Sequence, residues 1–129
     1  MRKMTKEWLH AAFTDLQTVE AIISREELSG IASFHAQQAI EKILEEKCIE
    51  IPKIHKLKTL FSMVPEDALN LYDSYMVKAL DELYVEARYP GEFGMLADGK
   101  PSVEDVEGFY RYANNVYQSV SDMINNDEI

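Results

Sequence analysis

One cysteine, Cys48, stands among 129 residues, so the chain can form neither an internal disulfide nor a cysteine-based zinc cluster. A lone thiol points to a reducing compartment. Histidine is nearly as scarce: His10, His35 and His55, and none after them. No apolar stretch approaches the roughly 20 residues that span a bilayer. The basic start, Met1-Arg2-Lys3, runs into Trp8-Leu9-His10 without the apolar segment of a secretory signal. The expectation is a cytoplasmic protein. Basic residues are outnumbered, 13 to 23, for a net charge of −10. Such a chain repels polyanions at long range, which excludes general nucleic-acid binding unless a local basic patch exists. One does, at Lys53, His55, Lys56 and Lys58, and it reads first as a solvated helix start.

Glycine (5) and proline (4) are few and bunched, which leaves long stretches free for regular structure. With 47% hydrophobic residues the chain can build one core, and its length suits one domain over residues 1–129. Leu9, Ala12, Phe13, Leu16, Val19 and Ile23 recur at helical spacing and predict a helix over Thr5–Arg25, with Thr5 as N-cap. A second is expected from about Ile31 to Cys48, with Ala36, Ala39, Ile40, Ile43 and Leu44 inward. Beside that face runs a row of Phe34, Gln38, Glu41 and Glu45, and one stripe further stand His35 and Lys42.

Ile49–Ile54, broken by Pro52, reads as a loop, and Leu57, Leu60, Phe61 and Val64 as a short helix stopped by Pro65. The period from Pro65 to about Arg88 predicts one long helix, with Ser74 as its weak point. Tyr89–Pro101 holds three of the five glycines and no periodicity, and loops of that length are often functional. Ser102 with Asp105 approximates a capping box for a last helix carrying Val106, Phe109, Ala113, Val116, Val120 and Ile124. A polar, frayed tail is expected over 125–129. No stretch alternates with strand period. The fold class is therefore all-α, an antiparallel up-and-down bundle of four to five helices. Tyr75 and Tyr112 fall off the apolar stripes and, with the broad faces of the first and last helices, mark expected partner surfaces.

Four pieces of sequence, in order, carry a resemblance. They are Trp8 with Ala12 and Asp15-Leu16; Phe34-His35-Ala36-Gln37-Gln38-Ala39-Ile40-Glu41-Lys42; His55-Lys56-Leu57; and Tyr84 leading to Ala87-Arg88-Tyr89-Pro90. Together they resemble the prokaryotic HEPN domains. The resemblance implies a helical bundle that usually forms homodimers and often pairs with a minimal nucleotidyltransferase, as a toxin–antitoxin or regulatory couple. Some members are metal-independent ribonucleases, marked by an arginine followed after four to six residues by histidine. Here Arg88 is followed at those distances by Phe93, Gly94 and Met95, so the cleavage motif is missing from its expected place.

The missing histidine matters chemically. Metal-free RNA cleavage needs a group that moves a proton near neutrality, which imidazole does, and a cation on the phosphate oxygens, which guanidinium does. Arg88 can hold a phosphate. Tyr84 and Tyr89, which ionise near pH 10, are poor bases at neutral pH. The expected nucleotide or RNA site comprises Arg88, Tyr89, Tyr84, Gln38, Glu41, Lys42 and His55, with no catalytic residue. Arg88 has a second reading, as a C-terminal helix residue favoured by the macrodipole. Glu41 and Gln38 also have two: a buried partnership with Arg88 and the loop, or a solvated row. His35, His55 and Glu41 match no helical metal-ligand spacing, so neither metal nor cofactor is expected. The alternatives to a binding protein are a ribonuclease with a displaced active site and an interaction scaffold with no ligand.

Overall fold

Ala32, Ala36 and Ala39 are wholly or almost wholly buried on one helix, where small side chains let neighbouring backbones come close. That helix organises the molecule. The computed structural model describes residues 3–47, 56–64, 66–86 and 101–127, with side chains over 6–45, 56–64, 68–83 and 101–125. The elements are α1 (Lys3–Ile22), a 3-10 turn (Glu26–Leu28), α2 (Ser29–Lys47), α3 (Leu57–Phe61), α4 (Glu66–Leu69), α5 (Ser74–Glu86) and α6 (Val103–Asp127). No strand occurs among the described residues. The long helix α2 packs against α1, α3, α5 and α6, and α6 also packs on α1. Phe13 meets Tyr117, and Glu20 meets Tyr110. Position rises on α1 as it falls on α6, so the two run antiparallel.

The expected core is largely the observed one. Leu9, Ala12, Leu16 and Val19 of α1, Ile40, Ile43 and Leu44 of α2, and Val106, Phe109, Ala113, Val116 and Val120 of α6 are all buried. Leu57, Leu60, Phe61 and Val64 join them. Phe13 does not: it is 42% exposed and rests its ring on Tyr117, centroids 6.0 Å apart.

Several boundaries move. Thr5 lies inside α1 rather than capping it, because Lys3 and Met4 already form the first turn. The helix ends at Ile22, where the Arg25 amide donates to the Ile22 carbonyl at 3.0 Å and the 3-10 turn follows. Helix α2 starts at Ser29, two residues early. Ser29 and Gly30 are both buried there, and packing overrides glycine's low helix propensity. At the other end α6 continues to Asp127, past the expected fray at Asn125, with Ile124 as its last buried anchor. The loop expected over 49–54, Pro65 and all of the glycine-rich segment before Pro101 lie outside the described residues.

The single helix expected from Pro65 to Arg88 is two helices. Asp73 caps α5: its Oδ1 accepts the Met76 amide at 3.1 Å and its carbonyl accepts the Val77 amide at 2.9 Å. Tyr112 of α6 holds the break open. Its hydroxyl donates to the Leu71 carbonyl at 2.7 Å and accepts the Asp73 amide at 3.3 Å. Tyr112 is therefore a half-buried clasp and not the exposed partner residue the stripe pattern predicts. Burial, helped by the nearby Asp73 carboxylate and Tyr72, raises its hydroxyl pKa well above the ordinary value, so it stays a neutral donor. Tyr75 is exposed as expected, at 73%.

Two helix starts use side-chain acceptors. Ser102 Oγ accepts the Asp105 amide at 3.0 Å while Asp105 Oδ2 accepts the Ser102 amide at 2.9 Å, completing the expected capping box. Helix α3 is capped from a distance. Asp81 of α5 takes the Leu57 amide on Oδ1 at 2.7 Å and the Lys58 amide on Oδ2 at 3.1 Å. Burial raises the Asp81 pKa above 3.8, opposed by those two amides and by Lys56. A raised carboxyl pKa means the folded state holds its proton more tightly, so stability falls as pH rises from 3.8 through the folded value. Asp81→Asn removes that titration. Wild type should therefore lead the variant by more at about pH 3.5 than at about pH 6, measured by denaturant unfolding at each pH. An equal gap at both would refute the assignment.

Candidate functional site

The seam between α1 and α2 holds a carboxylate bound from two directions. Asp15 occupies the apolar stripe of α1, between Ala12 and Val19, and only 7% of it is exposed. His35 and Lys42 stand seven residues apart on α2, which is two helical turns and hence one face. Asp15 sits between them. Its Oδ1 lies 2.9 Å from His35 Nδ1, and its Oδ2 accepts from Lys42 Nζ at 2.6 Å. An ionised carboxylate accepts only, so the His35 proton on that side sits on Nδ1. The imidazole is half-buried. Phe34 packs edge-on against the imidazole, centroids 5.8 Å apart.

A different face of α2 is polar and buried. Gln37, Glu41 and Glu45 follow at i, i+4 and i+8, with exposures of 0%, 5% and 6%. The solvated reading of the Gln38 and Glu41 row is thus overturned for Glu41. Gln38 is half-buried and donates to Gln37 Oε1 at 2.7 Å. Carboxylates kept from water require charged or hydrogen-bonding partners, so this stripe is chemically committed. Among the described residues no group of three or more His, Cys, Asp or Glu side chains is arranged to hold a metal ion. No helix among them is long and apolar enough to cross a membrane.

The structure brings some predicted residues together and leaves others aside. Gln38, Glu41 and Lys42 share α2, but Lys42 is engaged by Asp15 across the α1 seam. Tyr84 lies in α5 with its side chain outside the described residues, and Arg88, Tyr89 and His55 lie wholly outside them. Sequence reasoning passed over Asp15 as the shared partner of His35 and Lys42, and Gln37 as part of the buried stripe. Signals existed for each. An acid interrupts the apolar stripe of α1, His35 and Lys42 are two turns apart, and Gln37 is four residues before Glu41.

The HEPN domain family matches residues 5–123, which contain all four pieces of the sequence resemblance. The chain belongs to the HEPN domain family. The crystal structure of TT1696 from Thermus thermophilus is similar, with a TM-score of 0.72 at 20% identity, over 94% of this chain and 98% of that one. At that identity the likeness concerns the fold. No curated protein matches the sequence.

For this HEPN chain the α1/α2 seam generates a stability ordering. Asp15→Ala leaves a half-buried ammonium and an imidazole without their acceptor and should cost about 2 kcal/mol. Lys42→Met, which leaves Asp15 bound to His35, should cost less than about 1 kcal/mol. Urea unfolding of the two variants checks the order. Equal losses would show that the carboxylate is not the hub.

Proposed function

We propose that this HEPN-family bundle is a binding protein, which holds a nucleotide or RNA phosphate around Arg88 and Tyr89 and works as a homodimer beside a minimal nucleotidyltransferase. The observation that carries this reading is the burial of Glu41 and Glu45 on α2. Helix α2 packs against α5, which ends at Glu86, two residues before Arg88. A guanidinium there would neutralise a buried carboxylate with part of its five-donor fork and offer the rest to phosphate oxygens. Fixing the cation in this way prepays the cost of ordering a long side chain when phosphate binds. The proposed partners follow from the family and not from a surface on this chain.

The pair is testable without a ligand. Glu41→Gln and Arg88→Ala should each destabilise, and the double variant should lose less than their sum, with a coupling of about 1 kcal/mol or more. Additive losses would separate the two residues and withdraw the site.

A second reading, a ribonuclease with a displaced histidine, is favoured by one observation: Asp15 orients His35 by its Nδ1, as a positioning carboxylate does in acid–base dyads. The binding reading has the stronger footing, because Asp15 also serves Lys42 and the sequence lacks the histidine after Arg88. Incubation of labelled RNA with micromolar wild type, His35→Ala and Arg88→Ala decides between them. The expected result is no product in any reaction. Cleavage by wild type that disappears in both variants would establish the ribonuclease.

A further inference from the structure

Six large hydrophobic side chains are exposed among the described residues. Four of them, Met63, Leu69, Tyr72 and Tyr75, fall at the corner that joins α3, α4 and α5. Tyr75 is the most exposed of the six, at 73%. The Tyr72 ring is held edge-on to the buried Phe61 of α3, centroids 5.3 Å apart, so it presents a fixed surface. Single exposed hydrophobics need no explanation, but a group of them beside a concavity marks a binding surface.

The concavity lies between α3 and the first half of α5 and encloses about 530 Å³. Tyr72, Ser74 and the buried Val77 line it, together with Lys56, Lys58 and Lys78. In a chain of net charge −10, three ammonium groups around one cleft oppose the general trend. Two carboxylates share the lining, Asp81 and Glu82. Asp81 spends both oxygens on the Leu57 and Lys58 amides, and the Lys56 charge offsets part of its burial. Lys58 and Lys78 are exposed, and among the described residues neither forms an ion pair like that of Arg25 with Glu27. Against Glu82 they leave the cleft a surplus of positive charge.

Shape and chemistry select among anionic partners. A lipid surface is flat, whereas these lysines stand around a hollow, and it would press Glu82 against like charge. RNA is repelled at long range by the chain as a whole, and the aliphatic Met63 and Leu69 give a base no ring to stack on. An acidic protein segment carries both complements, carboxylates for the lysines and an apolar side chain for the hollow. We propose that the α3–α5 cleft docks an acidic segment of a partner protein, its carboxylates held by Lys58 and Lys78 and an apolar side chain laid against Tyr72. This surface is separate from Arg88 and rests neither on the phosphate reading of that residue nor on the proposed nucleotidyltransferase.

Panning a phage-displayed library of random short peptides on the whole protein tests the assignment, with Lys58→Glu/Lys78→Glu panned in parallel. Wild type should enrich peptides in which acidic residues flank an aromatic or aliphatic one, and the charge-reversed variant should not. A selected peptide, made synthetically, should lose about tenfold in affinity on Lys58→Met with Lys78→Met, read by calorimetry. Tyr72→Ala should weaken it as well, and raising the salt from about 0.1 M to about 1 M should weaken wild-type binding. Lys56 is left in place because it also faces the Asp81 cap. Both lysines are exposed, so the variants should melt with wild type. If they do not, peptide-induced NMR shifts in wild type decide, and they should centre on Lys58, Tyr72 and Lys78. Enrichment of peptides without acids, equal enrichment by the charge-reversed variant, or shifts centred elsewhere would overturn the proposal. So would tighter binding of an RNA oligomer or of phosphatidylserine vesicles through the same lysines, or dissociation of a dimer by the peptide, which would give the cleft to a second copy.

Discussion

Helix α2 must bury most of its circumference, and the rest of the molecule is arranged to permit it. Four other helices pack on it, and residues on nearly every side of it are excluded from water. Its alanines solve the steric half of that requirement by letting the neighbours close in. The electrostatic half is harder, because the same helix carries Glu41, Glu45, Gln37, His35 and Lys42. Every one of these must be satisfied by protein groups or by a half-open edge. The polar chemistry of this HEPN protein is therefore concentrated on its most central element, where geometry is best defined.

Carboxylates from other helices illustrate how the bundle uses that constraint. Asp15 reaches from α1 and engages two donors spaced two turns apart on α2. Asp81 reaches from α5 and engages two successive amides at the start of α3. In each case one acid joins two segments that are distant in sequence, so it fixes register as well as charge. The electrostatic outcomes differ. Asp15 binds cationic or proton-bearing side chains. Asp81 receives neutral amides, with Lys56 near enough to moderate its burial penalty. The α1/α2 seam thus holds an ion pair, Lys42 on Asp15, while the Asp81 oxygens are taken by backbone amides.

Much of the fold was legible in the sequence, and the reasons are particular. The α6 capping box is written in Ser102 and Asp105, both local to the turn they cap. The buried faces of α1 and α6 followed from periodicity, because a helix with one apolar stripe has one way to turn it, whereas on α2 periodicity showed the apolar face and not the buried polar one. The long helix expected from Pro65 was wrong for an equally physical reason. Leu69 and Tyr72 keep the period yet stay 44% and 40% exposed, since Asp73 and the distant Tyr112 break the helix between them and Met76. The candidate site was legible as residue types on α2. Which of them meet was not, because Asp15 lies on another helix.

By itself the sequence determined the all-helical class, the HEPN membership, the faces that turn inward and the absence of a histidine after Arg88. These depend on spacing along one chain, and the chain carries spacing openly. The tertiary structure alone decided that Lys42 and His35 share Asp15, that Asp81 caps α3, that Tyr112 is a clasp, and that three lysines face one cleft. Such pairings span 20 residues or more in most cases. Their partners are chosen by how helices dock, and docking is set by the summed shape of many apolar side chains.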